Sequence, residues 1–423
     1  MALVEDYIRD LKEITSFDSG SRNIEGVAKA ASIMKRHYDS IGFATNFVDL
    51  GPAVGPGLFA TNKPDADHYD ILLNAHLDTV FPDGTAAKRP FRIEGDRIYA
   101  PGCMDCKGGV VAFFYALKTL PPDVLNRLSI AVACNPDEES GSVYSHEWLS
   151  RLAKQCDRAL VGEPGRPDDS LIQSRKGIRG YVVKFRGKAS HAGNHPEEGR
   201  DANIALMKFT LEAYKLNDLP HGVSVSPTVM QGGSIRNAIS DASEIYLDTR
   251  FLRDEQIEKL DRELRELVSR TWVDGVTAEL TIDHGRPAMP KTEKTEELIR
   301  LVNQAAKMAG FDAKWVDAGG GSDAAYMAAA GIPAVDGCGP AGGCMRAGRR
   351  NSAGSGPTVR HERQWTGAAA AGAHDHGGNC GYRRPGGRYG AAGGGTGRAF
   401  PGFGRAVPLG GGRPGKSVYA REL

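Results

Sequence analysis

Over residues 3–15 and 23–41, apolar positions recur at helical spacing with charges between them, which predicts two amphipathic helices near the start of the chain. Apolar runs of strand length follow around 70–75, 128–134 and 158–162, with a further helical pattern at 107–120. Strands alternating with helices predict an α/β layer fold.

From about Gly177 the texture changes. A strand pattern at 181–185, a helix at 201–216, strands near 223–230 and 243–250, a helix at 254–271 and a strand at 276–282 describe a compact α+β unit. A helix at 296–309 and a strand at 332–335 then return to the first sheet. The expected order is a first domain over 1–176, an inserted domain over 177–287, the rest of the first domain over 288–340, and a tail over 341–423.

Composition supports a globular body and sets the tail apart. Of 423 residues, 40% are apolar, enough for a sizeable core. Residues 341–423 hold 23 glycines and 12 arginines but no isoleucine, and only two leucines and three valines. Such a segment buries too little apolar surface to offset its ordering entropy, so a disordered tail is expected. A basic Gly/Arg tail is also compatible with an RNA-binding arm, against which stand its sparse aromatics and its Ala-Gly tracts.

Charge and cysteine usage narrow the setting. Lys plus Arg (53) nearly balance Asp plus Glu (52), which gives no electrostatic case for nucleic acid or membrane and favours a small-molecule partner. The opening MALVEDYIRDLKEI lacks the unbroken apolar core of a signal peptide, and no apolar run reaches the roughly 18 residues of a membrane span. Seven cysteines spread thinly over the chain do not form a disulfide framework and suit a reducing, cytoplasmic compartment.

Candidate chemistry lies at the strand ends. Leu73-Asn-Ala-His-Leu-Asp-Thr79 ends an apolar strand in His76 and Asp78, which period-two alternation turns to one face. A neutral imidazole can bind zinc while a nearby carboxylate holds its other nitrogen. Gly102-Cys-Met-Asp-Cys-Lys-Gly-Gly109 places Asp105 among glycines just before a helix. The same segment contains the C-x-x-C pair Cys103 and Cys106, whose alternative readings are a redox pair or half a zinc knuckle. Asn135-Pro-Asp-Glu-Glu-Ser-Gly141 sets Glu138 and Glu139 directly after an apolar strand, suited to one ligand and one general base. Val161-Gly-Glu-Pro-Gly165 ends another strand in Glu163.

These segments, in this order, resemble the di-zinc aminoacylase and carboxypeptidase family of metallopeptidases, most closely its glutamate carboxypeptidase branch. Gly187-Lys-Ala-Ser-His-Ala-Gly193 and Gly319-Gly-Gly-Ser-Asp-Ala-Ala325 extend the likeness, which covers roughly residues 1–340. The resemblance implies a catalytic domain on a central mixed sheet with an inserted lid domain that forms a homodimer. It implies two zinc ions, with cobalt or manganese as alternatives. His76 and Glu163 would hold one ion, Glu139 would help hold the other, and Asp105 would bridge them. Glu138 would be the general base toward a water between the metals, with Asp78 supporting the imidazole. His191 would stabilise the tetrahedral oxyanion. Arg286, Asn237 and, as a near neighbour, Arg236 would bind the substrate's free carboxylate. The implied activity is release of a C-terminal amino acid, glutamate foremost, from a peptide or N-acyl amino acid. N-acyl deacylation and dipeptide hydrolysis are the neighbouring alternatives.

The likeness fails at one place. Where the family carries a last zinc-ligand histidine, the chain reads Gly342-Gly-Cys-Met-Arg-Ala347. Reading the codons of Cys344, Met345 and Arg346 one nucleotide earlier, after a Gly codon ending in A, gives Met-His-Ala or Met-Tyr-Ala. A shift of frame between about Asp336 and Cys344 is therefore expected to have produced the tail. If the tail is genuine, an impaired hydrolase is the expectation.

Overall fold

The structure is a computed structural model that describes the backbone of residues 2–343 and 358–360. Six strands form a mixed sheet in the order Ala44–Val48, Gly57–Thr61, Ile130–Asn135, Ile71–His76, Ala159–Val161 and Ala334–Val335. The first three are joined antiparallel, and the last four run parallel.

The central strands read as apolar runs because both faces of the sheet are covered. Leu73, Ala75, Val132 and Leu160 pack with Leu11, Val27, Met34, Val110 and Phe114 from the helices Ala2–Thr15, Ile24–Ser40 and Lys107–Lys118. The alternate residues Leu72, Ala131, Ala133 and Val161 pack on the other side with Leu149, Leu152 and Ala325 from helices His146–Ala153 and Ala324–Ala329.

A second sheet is antiparallel throughout, in the order Ser224–Gly232, Ala242–Phe251, Gly177–Arg186 and Thr277–Arg286. The strand Ala242–Phe251 alternates half-buried and buried residues, as expected of a sheet covered on one face. Its covered face shares a core with helices Ala202–Tyr214 and Asp254–Ser269, built on Tyr181, Phe185, Phe209, Ile245, Leu247 and Leu264. The fold is thus α/β with a mixed central sheet and an additional α+β layer.

One boundary moves. The expected tail begins at 341, yet the strand Gly339–Gly343 runs through that point, pairing with Pro164–Gly165 and with Thr358–Arg360. Backbone pairing rather than side-chain burial places these glycines, which is why composition misjudged them. The remainder of the expected disordered tail, including His361, His374 and His376, lies outside the described residues.

Candidate metal centre and active site

Strand register assembles the site. His76 pairs with Asn135, and Asn74 pairs with Val161, so the segments that leave these three parallel strands emerge side by side at one sheet edge. Those segments carry Asp78, Glu138, Glu139 and Glu163. Asp105 joins them from the turn before the helix Lys107–Lys118. That helix can approach because Gly109 has no side chain: a Cβ there would lie 1.9 Å from the Gly162 carbonyl oxygen.

Asp78, fully buried, organises the cluster. Its Oδ1 lies 3.1 Å from His76 Nδ1 and accepts the Glu138 N–H at 3.1 Å. Its Oδ2 accepts the Glu139 N–H at 3.1 Å and the Ser21 hydroxyl at 2.5 Å. One carboxylate therefore fixes both the imidazole and the turn that carries the glutamate pair. With Nδ1–H donating to Asp78, His76 turns Nε2 toward Asp105 at 3.1 Å and Glu163 at 3.4 Å.

Two ligand-type groups share that imidazole. His76, Asp105 and Glu139 offer ligand atoms within 4.8 Å of one another, and so do His76, Cys106 and Glu163. Burial, reinforced by Asp105, pushes Glu139 up to about 9. Burial and the charge of Glu138 push Glu163 up to about 8. Burial disfavours the charged form of His76, but Cys106, Asp105, Asp78 and Glu163 outweigh it and hold the imidazole well above its ordinary value. Carboxylates driven toward protonation around a proton-holding imidazole make a pocket that a divalent cation neutralises. One imidazole with several carboxylates suits zinc, cobalt or manganese, so the residues present fit the metal.

Cys106 was not anticipated as a neighbour of this imidazole. Its thiol donates to the Gly162 carbonyl at 2.9 Å, whereas Cys103 donates to Ile98 at 3.7 Å, so the C-x-x-C sulfurs serve separate carbonyls.

Arg286, at the end of the strand Thr277–Arg286, reaches the same edge. Its Nη1 donates to Glu138 Oε1, while Nη2 donates to the Glu138 carbonyl at 2.9 Å and the Ser142 hydroxyl at 3.2 Å. Asp323 Oδ1 lies 3.8 Å from Nη2, and the guanidinium sits over the Tyr326 ring at 5.8 Å from its centroid. Asp323 accepts in turn from Asn135 at 2.6 Å and from Ser142. Burial lifts its carboxyl to about 6 despite the nearby Arg286.

Of the expected site residues, His76, Asp78, Asp105, Glu138, Glu139, Glu163 and Arg286 stand together. His191 and Asn237 form a separate exposed pair, with the Asn237 amide 3.5 Å from His191 Nε2. His191 Nδ1 accepts from the Gly193 and Asn194 N–H groups at 3.1 Å, which leaves Nε2 as its donor, so the neighbouring Asn237 must turn its amide oxygen to Nε2 if the two are to bond. Among the described residues, no hydrogen bond or ion pair joins this pair to the acidic cluster, and Arg236 is exposed.

Residues 72–351 match the profile of the family described as peptidase family M20/M25/M40. The chain belongs to this family. Carboxypeptidase G2 of Pseudomonas sp. (strain RS-16) is 31% identical over 336 residues, spanning 78% of this chain and 81% of its own length. Acetylornithine deacetylase of Pectobacterium carotovorum is 26% identical over 259 residues, 57% of this chain and 65% of its own. Among solved structures, aminopeptidase PepT from Bacillus cereus superposes with a TM-score of 0.70 at 21% identity, covering 87% of this chain and 96% of that one. This M20/M25/M40 chain is a metal-dependent peptidase or amidohydrolase. No helix among the described residues is long and apolar enough to cross a membrane.

Proposed function

We propose that the chain cleaves the amide bond that joins a C-terminal amino acid, glutamate foremost, to a peptide or acyl group. The observation that carries this reading is the contact between Glu138 and Arg286 at the rim of the ligand cluster. A carboxylate able to take a proton and a guanidinium able to receive a carboxylate then share one pocket. The likeness to carboxypeptidase G2 supports glutamate as the released residue.

His76, Asp105, Glu139 and Glu163 would help hold two divalent cations, zinc foremost. When bound, these supply Lewis acidity toward the scissile carbonyl and lower the pKa of water. The protein does the rest. Asp78 fixes the His76 tautomer and the Glu138–Glu139 turn. Glu138 takes the proton from the attacking water at its carboxylate and delivers it to the leaving nitrogen. Arg286 orients the substrate through its free carboxylate.

His191 would donate from Nε2 to the developing oxyanion, with Asn237 beside it. Because that pair stands apart from the cluster, we assign it to the site of a second copy. The helix Ala202–Tyr214 turns Ile204, Met207, Leu211 and Tyr214 outward in one stripe, with Leu211 68% exposed. It packs against the edge strand Ser224–Gly232, which exposes Val229 and Met230. On this reading residues 177–287 are an inserted dimerisation unit between residues 1–176 and the segment that begins at 288. The buried thiols of Cys106, Cys134, Cys156 and Cys338 suit a cytoplasmic setting.

A second reading, an impaired hydrolase, is favoured by Gly342-Gly-Cys-Met-Arg-Ala347, which carries no histidine. Metal content separates the two: near two ions per chain supports the first reading, near one the second.

The substrate assignment is tested with N-benzoyl-glutamate and its α-amide. Cleavage of the acid with kcat/KM roughly a hundredfold above the amide is expected, the scale for an unpaired buried charge. Equal rates would remove the role given to Arg286.

A further inference from the structure

Arg286 uses its two terminal nitrogens differently. Nη2 is held by groups that stay in place: the Glu138 carbonyl at 2.9 Å, the Ser142 hydroxyl at 3.2 Å and, at 3.8 Å, an Asp323 carboxylate fixed by Asn135 and Ser142. Nη1 is held by the Glu138 side chain. Main-chain and buried anchors thus fix one end of the guanidinium, while the other end rests on the carboxylate assigned as general base.

We propose that Arg286 is a carboxylate-exchange latch, holding Glu138 until the free carboxylate of a substrate takes its place at Nη1. This rests on the proposed roles of Glu138 and Arg286. While Glu138 Oε1 accepts from Nη1, that oxygen is engaged by the guanidinium and not free to receive the attacking water. The two side chains are 10% and 8% exposed, so bulk water does little to separate them. An incoming carboxylate provides the same charge and the same lone pairs as Glu138, so the exchange leaves no buried guanidinium unpaired. Asp323 and Ser142 act as positioning residues that hold Nη2 while Nη1 changes partner. Recognition of the substrate's carboxylate therefore releases the base, and the specificity falls on kcat as well as on KM. A substrate without that carboxylate meets a latched base.

Two experiments test the latch. The first needs no turnover: calorimetric binding of glutarate to the full chain, with Arg286→Met as the reference for binding elsewhere. Glu138→Gln removes the charge of the latch, and Glu138→Asp keeps the charge but retracts it by one methylene. Both variants are expected to bind glutarate about tenfold tighter than the unsubstituted chain, equivalent to about 1.4 kcal/mol. Tightening in Glu138→Gln alone would mark a general charge effect and overturn the latch. So would equal affinity in all three proteins, or no Arg286-dependent binding in any of them.

The second experiment follows hydrolysis of N-benzoyl-glutamate α-amide while glutarate or acetate is added. Activation, seen as a several-fold rise in kcat before inhibition sets in, is expected; inhibition alone at all concentrations would overturn the latch. If neither the acid nor the amide is cleaved, the proposed function fails, and glutarate binding still decides the latch.

Discussion

Asp78→Asn preserves shape while removing one acceptor oxygen from the best-connected side chain of the site. Oδ1 serves His76 Nδ1 and the Glu138 N–H, and Oδ2 serves the Ser21 hydroxyl and the Glu139 N–H. An amide NH2 in place of either oxygen therefore confronts two donors. Asp78 is fully buried, so water cannot substitute. Hydrogen bonds to a charged acceptor contribute about 1.5–3 kcal/mol each, so losing two costs about 3–6 kcal/mol. The charge of Asp78 also repels Glu139 and Asp137, and its removal relieves them. The net loss expected in chelated protein is about 2–4 kcal/mol. Zinc affinity should fall about 10- to 100-fold, because the imidazole loses the carboxylate that orients it. Urea unfolding in chelator gives the first quantity and competition against a fluorescent zinc indicator the second. A variant within about 0.5 kcal/mol of the parent and with unchanged zinc affinity would refute the organising role of Asp78.

Other consequences are equally direct. Glu139, pushed up to about 9 by burial and Asp105, and Glu163, pushed up to about 8 by burial and Glu138, keep protons that the unfolded chain releases at the ordinary glutamate value. The unfolded state then binds fewer protons, so metal-free stability should fall as pH rises from about 5 to about 9, while stabilisation by added zinc grows. Melting in chelator at about pH 6 and about pH 8.5 checks the sign; a Tm that rises over this window contradicts it. Arg175→Met strands the buried Asp336, which it contacts at 2.6 Å. Denaturant unfolding should register a loss of about 3–5 kcal/mol, and a loss below about 1 kcal/mol would deny the pair its structural part. Leu211→Asp should halve the mass seen by light scattering and lower turnover with it. An active monomer would place His191 outside the catalytic unit.

The central strands were legible because both faces are buried and their sequences are mostly apolar runs, broken only by Asn74 before the terminal His76 and Asn135. The outer strand Ala44–Val48 was not, since its side chains are half-exposed or exposed and its sequence ATNFV carries no period. Ser170–Arg175 pairs with Lys314–Ala318 through backbone bonds, but the sequences SLIQSR and KWVDA keep no period of two, and neither segment announced a strand. The helix His146–Ala153 is eight residues long, too short for a secure period despite burying Trp148, Leu149 and Leu152.

Within the site, strand ends pointed to His76, Glu138, Glu139 and Glu163, and a glycine-flanked turn before a helix pointed to Asp105. The grip of Asp78 on two backbone N–H groups was not readable, because it depends on a turn closing across sixty positions of sequence. The same holds for Arg175 and Asp336, 161 positions apart. Asp323 lay in a segment whose resemblance was plain, yet only the fold showed that it faces Arg286. Cys106 gave the opposite signal, since its pairing with Cys103 suggested chemistry of its own while the fold turns it to the Gly162 carbonyl.

In the proposed reaction Glu138 moves protons beside a metal-holding cluster to which it contributes no ligand. The measurement that tests it most directly is metal content and turnover of Glu138→Gln, purified alongside the unsubstituted chain and assayed on N-benzoyl-glutamate. Equal zinc per chain and a fall in kcat of about 10²- to 10⁴-fold are expected. Turnover within a few-fold of the parent at equal zinc would contradict that role of Glu138.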